Sequence, residues 1–198
     1  TSSLEAAAGE PVIISGPKGG DRTTRLPAVL GLVPPVGGDV VVAGRPLCDL
    51  SARQRGRVLA FVPQGADRLP AFSVRDVVAS GRFPHLAPLR PLSAADQAAV
   101  RAALRACELE ALADRPVNAV SAGERQRALL AAALAQDARF LVLDEPSTAL
   151  EVAHQAELVA LLRASVAAGR GVLMASHDLG LAAALGGRVV ALREGRIF

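Results

Sequence analysis

The sequence predicts an α/β fold in which helices cover both faces of a parallel β-sheet. Short apolar runs rich in Val, Ile and Leu alternate along the chain with segments of helical pattern. Continuous apolar strands of this kind are typical of parallel sheets buried on both faces. We expect the strands of this sheet at residues 12–14, 58–62, 140–143 and 172–175.

Three further strand segments indicate antiparallel structure at the edge of the fold. Residues 40–42 precede Ala43-Gly44, which predicts a strand and a tight turn. Residues 189–192 and 196–198 flank Glu194-Gly195 and predict a terminal hairpin. The expected architecture is therefore a parallel core with an antiparallel β edge.

The helices are predicted from apolar periodicity and from capping residues. The Ser-x-x-Asp patterns at Ser73 and Ser93 resemble capping boxes, and the second opens a helix through about Cys107. Further helices are expected at residues 26–33, 123–136 and 151–167. We interpret the chain as a single domain, residues 1–198, with a core at about 1–64 and 126–198 and a helical insertion at about 65–125.

The composition indicates an ordered globular protein and argues against nucleic-acid binding. Hydrophobic residues make up 51% and charged residues 21%. The net charge of +3 is mild, and five Phe with no Trp or Tyr offer no stacking platform for bases.

The same survey predicts a cytosolic protein. Cys48 and Cys107 lie far apart without metal-ligand spacing, which favours two reduced thiols. We expect no signal peptide, and no apolar run approaches the ~20 residues that span a bilayer. Any membrane role is expected to come through a partner.

Asp144 and Glu145 follow an apolar strand directly. The carboxyl edge of a parallel sheet is where such folds bind ligands. One carboxylate can hold Mg²⁺ and the next can orient a hydrolytic water. Taken alone, the pair fits a solvated acidic turn equally well.

Three other segments are ambiguous individually. Ser121-Ala122-Gly123-Glu124 begins a helix whose N–H groups could grip an anion, but it also reads as a plain capping box. His177 follows a strand and could be structural, and Gln64 after its own strand is uninformative alone.

The order and spacing of these segments resemble the ATP-binding subunits of ABC transporters, whose core is the P-loop NTPase (RecA-like) fold. The resemblance covers essentially the whole chain and is most specific at residues 120–150. It implies ATP and Mg²⁺ as cofactors, a second nucleotide-binding subunit in a homodimer, transmembrane permease subunits as partners, and a position at the cytoplasmic face of the membrane.

The resemblance also implies roles for individual residues. Gln64 would be the glutamine that senses Mg²⁺ and the transmembrane partner, Asp144 the Mg²⁺ aspartate, Glu145 the general base and His177 the switch histidine. The signature loop would be Ser121, Ala122, Gly123 and Glu124, with Ala122 in place of the usual Gly. Residues 147–151 match the D-loop, with Glu151 where Asp is usual.

Residues 81–86, Gly-Arg-Phe-Pro-His-Leu, resemble the subgroup that serves iron-siderophore, haem and cobalamin importers. Residues 114–116 and His154-Gln155 point the same way. The alternative interpretation of residues 81–86 is a proline-rich surface loop.

The phosphate loop departs from its family pattern, Gly-x-x-x-x-Gly-Lys-Ser/Thr. The aligned residues are Gly16, Pro17, Lys18, Gly19, Gly20, Asp21, Arg22, Thr23 and Thr24. Asp21 replaces a glycine, and a like-charge pair at ~5 Å with an effective dielectric near 20 costs roughly 3 kcal/mol. Arg22 replaces the lysine with a planar fork. Thr23 keeps the hydroxyl that would bind Mg²⁺. Pro27 would remove a backbone hydrogen bond from the next helix.

Other interpretations remain open. Lys18-Gly19-Gly20 also resembles the deviant phosphate loop of partitioning ATPases, which needs one more residue before Thr23. The aromatic residue that stacks on adenine in the family has no counterpart before Val12. A degenerate, weakly hydrolysing docking subunit is the main alternative, and a DNA-repair or chromosome ATPase is a third.

Overall fold

The computed structural model describes residues 3–16, 22–35, 37–65, 70–87, 90–193 and 196–197. Within them, the strands of the main sheet are β1 (Pro11–Ser15), β4 (Leu59–Val62), β5 (Phe140–Asp144), β6 (Gly171–Ala175), β7 (Arg188–Arg193) and β8 (Arg196–Ile197). Their order across the sheet is β4-β5-β6-β1-β7-β8. Neighbouring strands from β4 to β7 are parallel, and β8 pairs antiparallel with β7. The predicted parallel core with an antiparallel edge is confirmed.

A separate two-stranded sheet joins β2 (Val41–Val42) to β3 (Arg45–Pro46). The turn between them places Ala43 and Gly44 at φ 52° and 78°. Positive φ at both central residues matches the twist of a two-residue hairpin. The strand and tight turn expected here are therefore confirmed, outside the main sheet.

The helices are α1 (Arg22–Val29), α2 (Ala52–Val58), α3 (Val74–Ser80), α4 (Ala94–Ala106), α5 (Ala122–Gln136), α6 (Val152–Ala167) and α7 (Leu179–Leu185). Capping boxes at Ser73 and Ser93 open α3 and α4 as expected. These two helices lie between β4 and α5 in the chain. The boundaries of a helical insertion at 65–125 remain our proposal.

Side chains alternate between the two faces of the main sheet and pack into two apolar layers. Ile13, Leu141 and Met174 face a layer formed largely by α3 to α7. Val12, Val142 and Leu173 face the layer that contains Leu26 of α1 and Val42 of β2. The apolar strands are therefore buried on both sides, as their composition predicted.

Two local predictions were wrong, and one helix was missed. Helix α1 covers Arg22–Val29 rather than 26–33, because Gly31 at φ 68° ends the helical path before Pro34 and Pro35. Residue 58 ends α2 rather than beginning a strand. The α2 helix itself was missed, although the Ser51/Gln54 capping box that opens it was visible in the sequence.

Both cysteines are free. Cys48 is exposed, whereas Cys107 is buried and its burial raises the thiol pKa to about 12. The expectation of two unpaired thiols is confirmed. Across the part of the chain that the structure describes, no helix has both the length and the apolarity to cross a bilayer.

Candidate functional site

The strand order brings four carboxyl ends to one edge of the main sheet. β4, β5, β6 and β1 are consecutive neighbours and parallel. The residues that end or follow these strands are Gln64, Asp144 with Glu145, His177, and Gly16. Residues scattered over more than 160 positions of sequence thus share one sheet edge.

Glu145 and His177 are in direct contact at this edge. The Nδ1 of His177 lies 2.8 Å from the Oε2 of Glu145. Glu145 is 8% exposed, whereas the side chain of His177 is 49% exposed. A buried carboxylate is thereby joined to an imidazole that reaches solvent, the pattern of a base with its orienting partner.

The backbone of Glu145 adopts an unusual conformation. Its φ of 44° lies in the left-handed region, which costs a non-glycine residue about 1 kcal/mol. The Glu145 N–H donates to the Ala175 carbonyl at 2.9 Å and its carbonyl accepts from the Thr148 N–H at 3.2 Å. Strain held by surrounding contacts is a frequent feature of functional sites.

A short, anchored turn holds His177. The Ser176 N–H donates to the Ile14 carbonyl at 3.0 Å, and the Ser176 hydroxyl accepts from the Asp178 N–H at 3.1 Å. Asp178 caps α7 by accepting from the Leu181 N–H at 3.0 Å. Hydrogen bonds fix the backbone on both sides of His177, so the position of its Cα is well defined. Sequence reasoning missed α7 and this Asp178 cap.

The segment expected to bind phosphate connects β1 to α1. Gly16 has no room for a side chain, because a Cβ there would lie 2.7 Å from the Leu192 carbonyl oxygen. Residues Pro17, Lys18, Gly19, Gly20 and Asp21 lie outside the described residues. Arg22, Thr23 and Thr24 form the first turn of α1, with only their backbone described. The strand and the helix that flank this segment are both present, since β1 ends at Ser15 and α1 begins at Arg22.

Gln64 and the expected signature segment are linked through α5. The Gln126 side chain, 4% exposed, donates from Nε2 to the Pro63 carbonyl at 3.2 Å. This bond fastens the first turns of α5 to the residue before Gln64, which is itself exposed. Gln126 was not predicted as a site residue. A buried, hydrogen-bonded amide cannot be told from an exposed one by sequence alone.

Ser121-Ala122-Gly123-Glu124 forms a complete capping box. The Ser121 N–H donates to Glu124 Oε2 at 2.7 Å, and the Glu124 N–H donates to Ser121 Oγ at 3.2 Å. Hydrogen bonds from the Ser121 backbone and hydroxyl lower the pKa of Glu124. A Cβ on Gly123 would lie 3.2 Å from the Ala149 carbonyl, so the helix start packs closely on residues 149–150. The capping interpretation and an anion-binding role are compatible.

Known proteins resemble this chain over nearly all of its length. The ABC transporter family matches residues 1–148. The hemin import ATP-binding protein of Streptomyces coelicolor is 42% identical over 98% of this chain and 69% of its own length. A protein of Bacillus subtilis named as a probable siderophore transport system ATP-binding protein is 37% identical, over 96% and 70%. The cobalamin import ATP-binding protein of Halobacterium salinarum is 40% identical, over 96% and 47%.

Solved structures agree with the fold. An ATP-binding cassette in a dimeric post-hydrolysis state with ADP and Pi has a TM-score of 0.86 and 26% identity, over 98% of this chain and 85% of the other. A bacterial Atm1-family ABC exporter with ATP bound has a TM-score of 0.83 and 25% identity, over 98% and 34%. The protein has the fold of the ATP-binding cassettes. It belongs to the ABC transporter family, and its relatives include ATP-binding proteins of hemin, siderophore and cobalamin uptake.

Proposed function

We propose that this chain is the ATP-hydrolysing subunit of an ABC importer for a hemin-, siderophore- or cobalamin-type compound. The contact between Glu145 and His177 at the nucleotide edge of the sheet carries the proposal. The substrate class and the direction of transport are supported by the names of the similar proteins. The fold alone does not separate import from export, because an exporter also has it. The subunit would act at the cytoplasmic face of the membrane through its permease.

In this proposal, Glu145 is the general base for water. Its side chain is 9% exposed and lies 2.8 Å from His177 Nδ1, so the imidazole orients the carboxylate that takes a proton from the attacking water. The anchored 176–178 turn keeps the imidazole facing Glu145. Asp144 is the last residue of β5 and pairs with Ala175 of β6. In this proposal Asp144 holds Mg²⁺, and Glu145, the next residue, acts on water.

The described residues fit ATP and Mg²⁺. Gly16 allows the end of β1 to pack against Leu192 of β7, which fixes the position from which the following segment begins. The carboxylate of Asp144, the amide of Gln64 and the hydroxyl of Thr23 are the oxygen donors that Mg²⁺ prefers. Mg²⁺ would supply charge neutralisation of the phosphates. Lys18, Gly19 and Gly20, together with Arg22 to Thr24, would hold the phosphates, whereas Asp21 would place a like charge beside them. Ser121 to Glu124 would meet the nucleotide of a second copy.

An apolar cleft offers the permease a docking surface. The cleft has a volume of about 590 Å³ and lies between α2 and the segment after α3. Phe83, 66% exposed, and Leu86 form apolar walls, and Arg53 and Arg90 also line it. We expect residues 65–92, which follow Gln64 and are rich in proline, to contact the partner. The cleft supports that proposal and adds α2 to the surface.

The Glu145→Gln variant tests the proposed function. Removal of the base should lower ATP turnover by about 10²-fold or more and stabilise an ATP-bound dimer on size-exclusion chromatography. Glu110→Gln is the matched control. Glu110 is exposed, and its carboxylate lies 3.9 Å from the Arg105 guanidinium in a weak surface ion pair.

Three results separate the alternatives. Lost turnover in Glu145→Gln with normal turnover in Glu110→Gln supports the proposal. Measurable wild-type turnover that Glu145→Gln leaves unchanged, with no dimer, contradicts the assignment of the base. A wild-type chain that binds its permease without hydrolysing ATP would instead identify the degenerate docking subunit.

A further inference from the structure

The Gly-Arg-Phe-Pro-His-Leu segment at residues 81–86 divides its side chains between two environments. Phe83 is exposed and lines the cleft. The Arg82 side chain is only 11% exposed. The segment is therefore more than a proline-rich surface loop, because its charged residue points into the protein.

Arg82 joins two helices through charged and backbone hydrogen bonds. Its Nε donates to Asp96 Oδ1 of α4 at 2.8 Å, and its Nη1 donates to the Ala135 carbonyl of α5 at 2.7 Å. The Asp96 side chain is 10% exposed, so the ion pair is almost fully buried. One guanidinium thus fixes the start of α4 against the end of α5.

The next residues of the same junction reach the main sheet. The Gln136 carbonyl accepts from His85 Nε2 at 2.7 Å. The Gln136 amide donates to the carbonyls of Gly56 and Leu59, where α2 passes into β4. Helices α3 and α4 are thereby connected to the sheet through the last turn of α5.

Close backbone packing makes this junction stiff. A Cβ on Gly81 would lie 2.1 Å from the Ala132 carbonyl, and a Cβ on Gly56 would lie 2.6 Å from the Pro84 ring. A buried ion pair adds little net stability over an apolar pair, but its fixed geometry specifies one arrangement of the groups it joins. The junction is suited to set an angle between elements.

We propose that Arg82 is a positioning residue that fixes the orientation of α3 and α4 relative to the main sheet. Helix α5 rises about 22 Å from Ser121 to Gln136, so the junction lies at the opposite end of the helix from the signature segment. Its consequence for ATP turnover rests on the proposed function, in which Ser121 to Glu124 meets the nucleotide of a second copy. The orientation itself does not.

Spin-label distances measure this orientation without nucleotide. One label goes on native Cys48, an exposed residue after β3 whose neighbour Leu47 packs in the same apolar layer as main-sheet residues Val12 and Val142. The other goes on Arg101→Cys, an exposed position of α4. Cys107 stays unlabelled because it is buried. Arg75→Gln is the matched control, since Arg75 of α3 forms a 3.0 Å pair with Asp114 on the surface.

We expect a single narrow distance in the parent protein and in Arg75→Gln. Arg82→Gln should broaden the distribution at least about twofold, because the tether between helices opens locally. Arg82→Lys keeps the positive charge but loses the planar guanidinium, so its distance distribution should have an intermediate width. If Arg82→Gln does not fold, the width in Arg82→Lys tests the proposal.

Unchanged distances in folded Arg82→Gln and Arg82→Lys would overturn the proposal, even if both melt at lower temperature, since that pattern indicates a merely structural role. Equal broadening in Arg75→Gln would overturn it too. ATP turnover measured on the same variants addresses only the proposed function, so the failure of one can be told from the failure of the other.

Discussion

The carboxylate of Asp96 is held ionised by its neighbours. Hydrogen bonds from Ser93 and then from Arg82 lower its pKa to about 2. An unfolded chain leaves an Asp near pKa 3.9, so the folded value is depressed. The stabilisation is therefore fully present above about pH 4 and is lost as the pH falls toward 2.

Asp96→Asn should remove this pH dependence. At pH 6 the variant leaves the buried Arg82 without its carboxylate and should lose roughly 3 kcal/mol of unfolding free energy. The loss relative to wild type should shrink as urea unfolding is repeated from pH 5 down to pH 3. Asp114→Asn is the control, because the Asp114 side chain is 86% exposed. A stability difference that stays constant over this range would contradict the predicted role of the ionised carboxylate.

Among the elements, the connection from β1 to α1 carries the departures from the family pattern. Asp21 and Arg22 replace the fixed Gly and Lys, and Pro27 lies inside α1. Because proline has no N–H, the Thr23 carbonyl receives no helical bond from residue 27. We expect Asp21, Arg22 and Pro27 each to weaken phosphate binding.

Restoring the loop should increase activity. Asp21→Gly with Arg22→Lys removes a like charge and returns a compact ammonium, so ATP turnover should rise by about 10²-fold. ATP affinity by calorimetry, with and without Mg²⁺, should rise in parallel. Adding Glu145→Gln to the repaired chain should abolish turnover again. Ordinary micromolar affinity in the parent chain, with no gain on repair, would show that this loop functions as it stands.

At the scale of the whole molecule, the exposed apolar surface is divided between distant places. Phe72 and Phe83 are 56% and 66% exposed within residues 65–92, whereas Val189 is 46% exposed on β7. Arg82 and His85 bond inward to α5, so they are poor probes of a partner surface.

A photo-crosslinker at Phe83 should therefore capture the co-expressed permease. Phe83 combines high exposure with a position on the cleft, where an apolar partner segment would remove its ring from water. The same group at Val189 is the control and should give no crosslink. Crosslinks confined to Val189 would move the partner surface to the β7–β8 edge.

Sequence alone determined the fold class, the candidate carboxylates and most helices, because these follow from local signals. Apolar runs define buried strands, and capping boxes at Ser73 and Ser93 define where α3 and α4 begin. The spacing of Gln64, Ser121, Asp144 and His177 also sufficed to recognise the family. None of these signals requires knowing which distant residues touch.

The tertiary structure decided the pairings. Glu145 meets His177 because β5 and β6 are neighbours, and a 32-residue separation in sequence does not reveal that contact. Arg82 looked like part of a surface loop until the packing of α4 and α5 showed its buried partners, Asp96 and the Ala135 carbonyl. Charge and hydrogen-bonding capacity are written in the sequence, but their burial and partners exist only once the layers have packed.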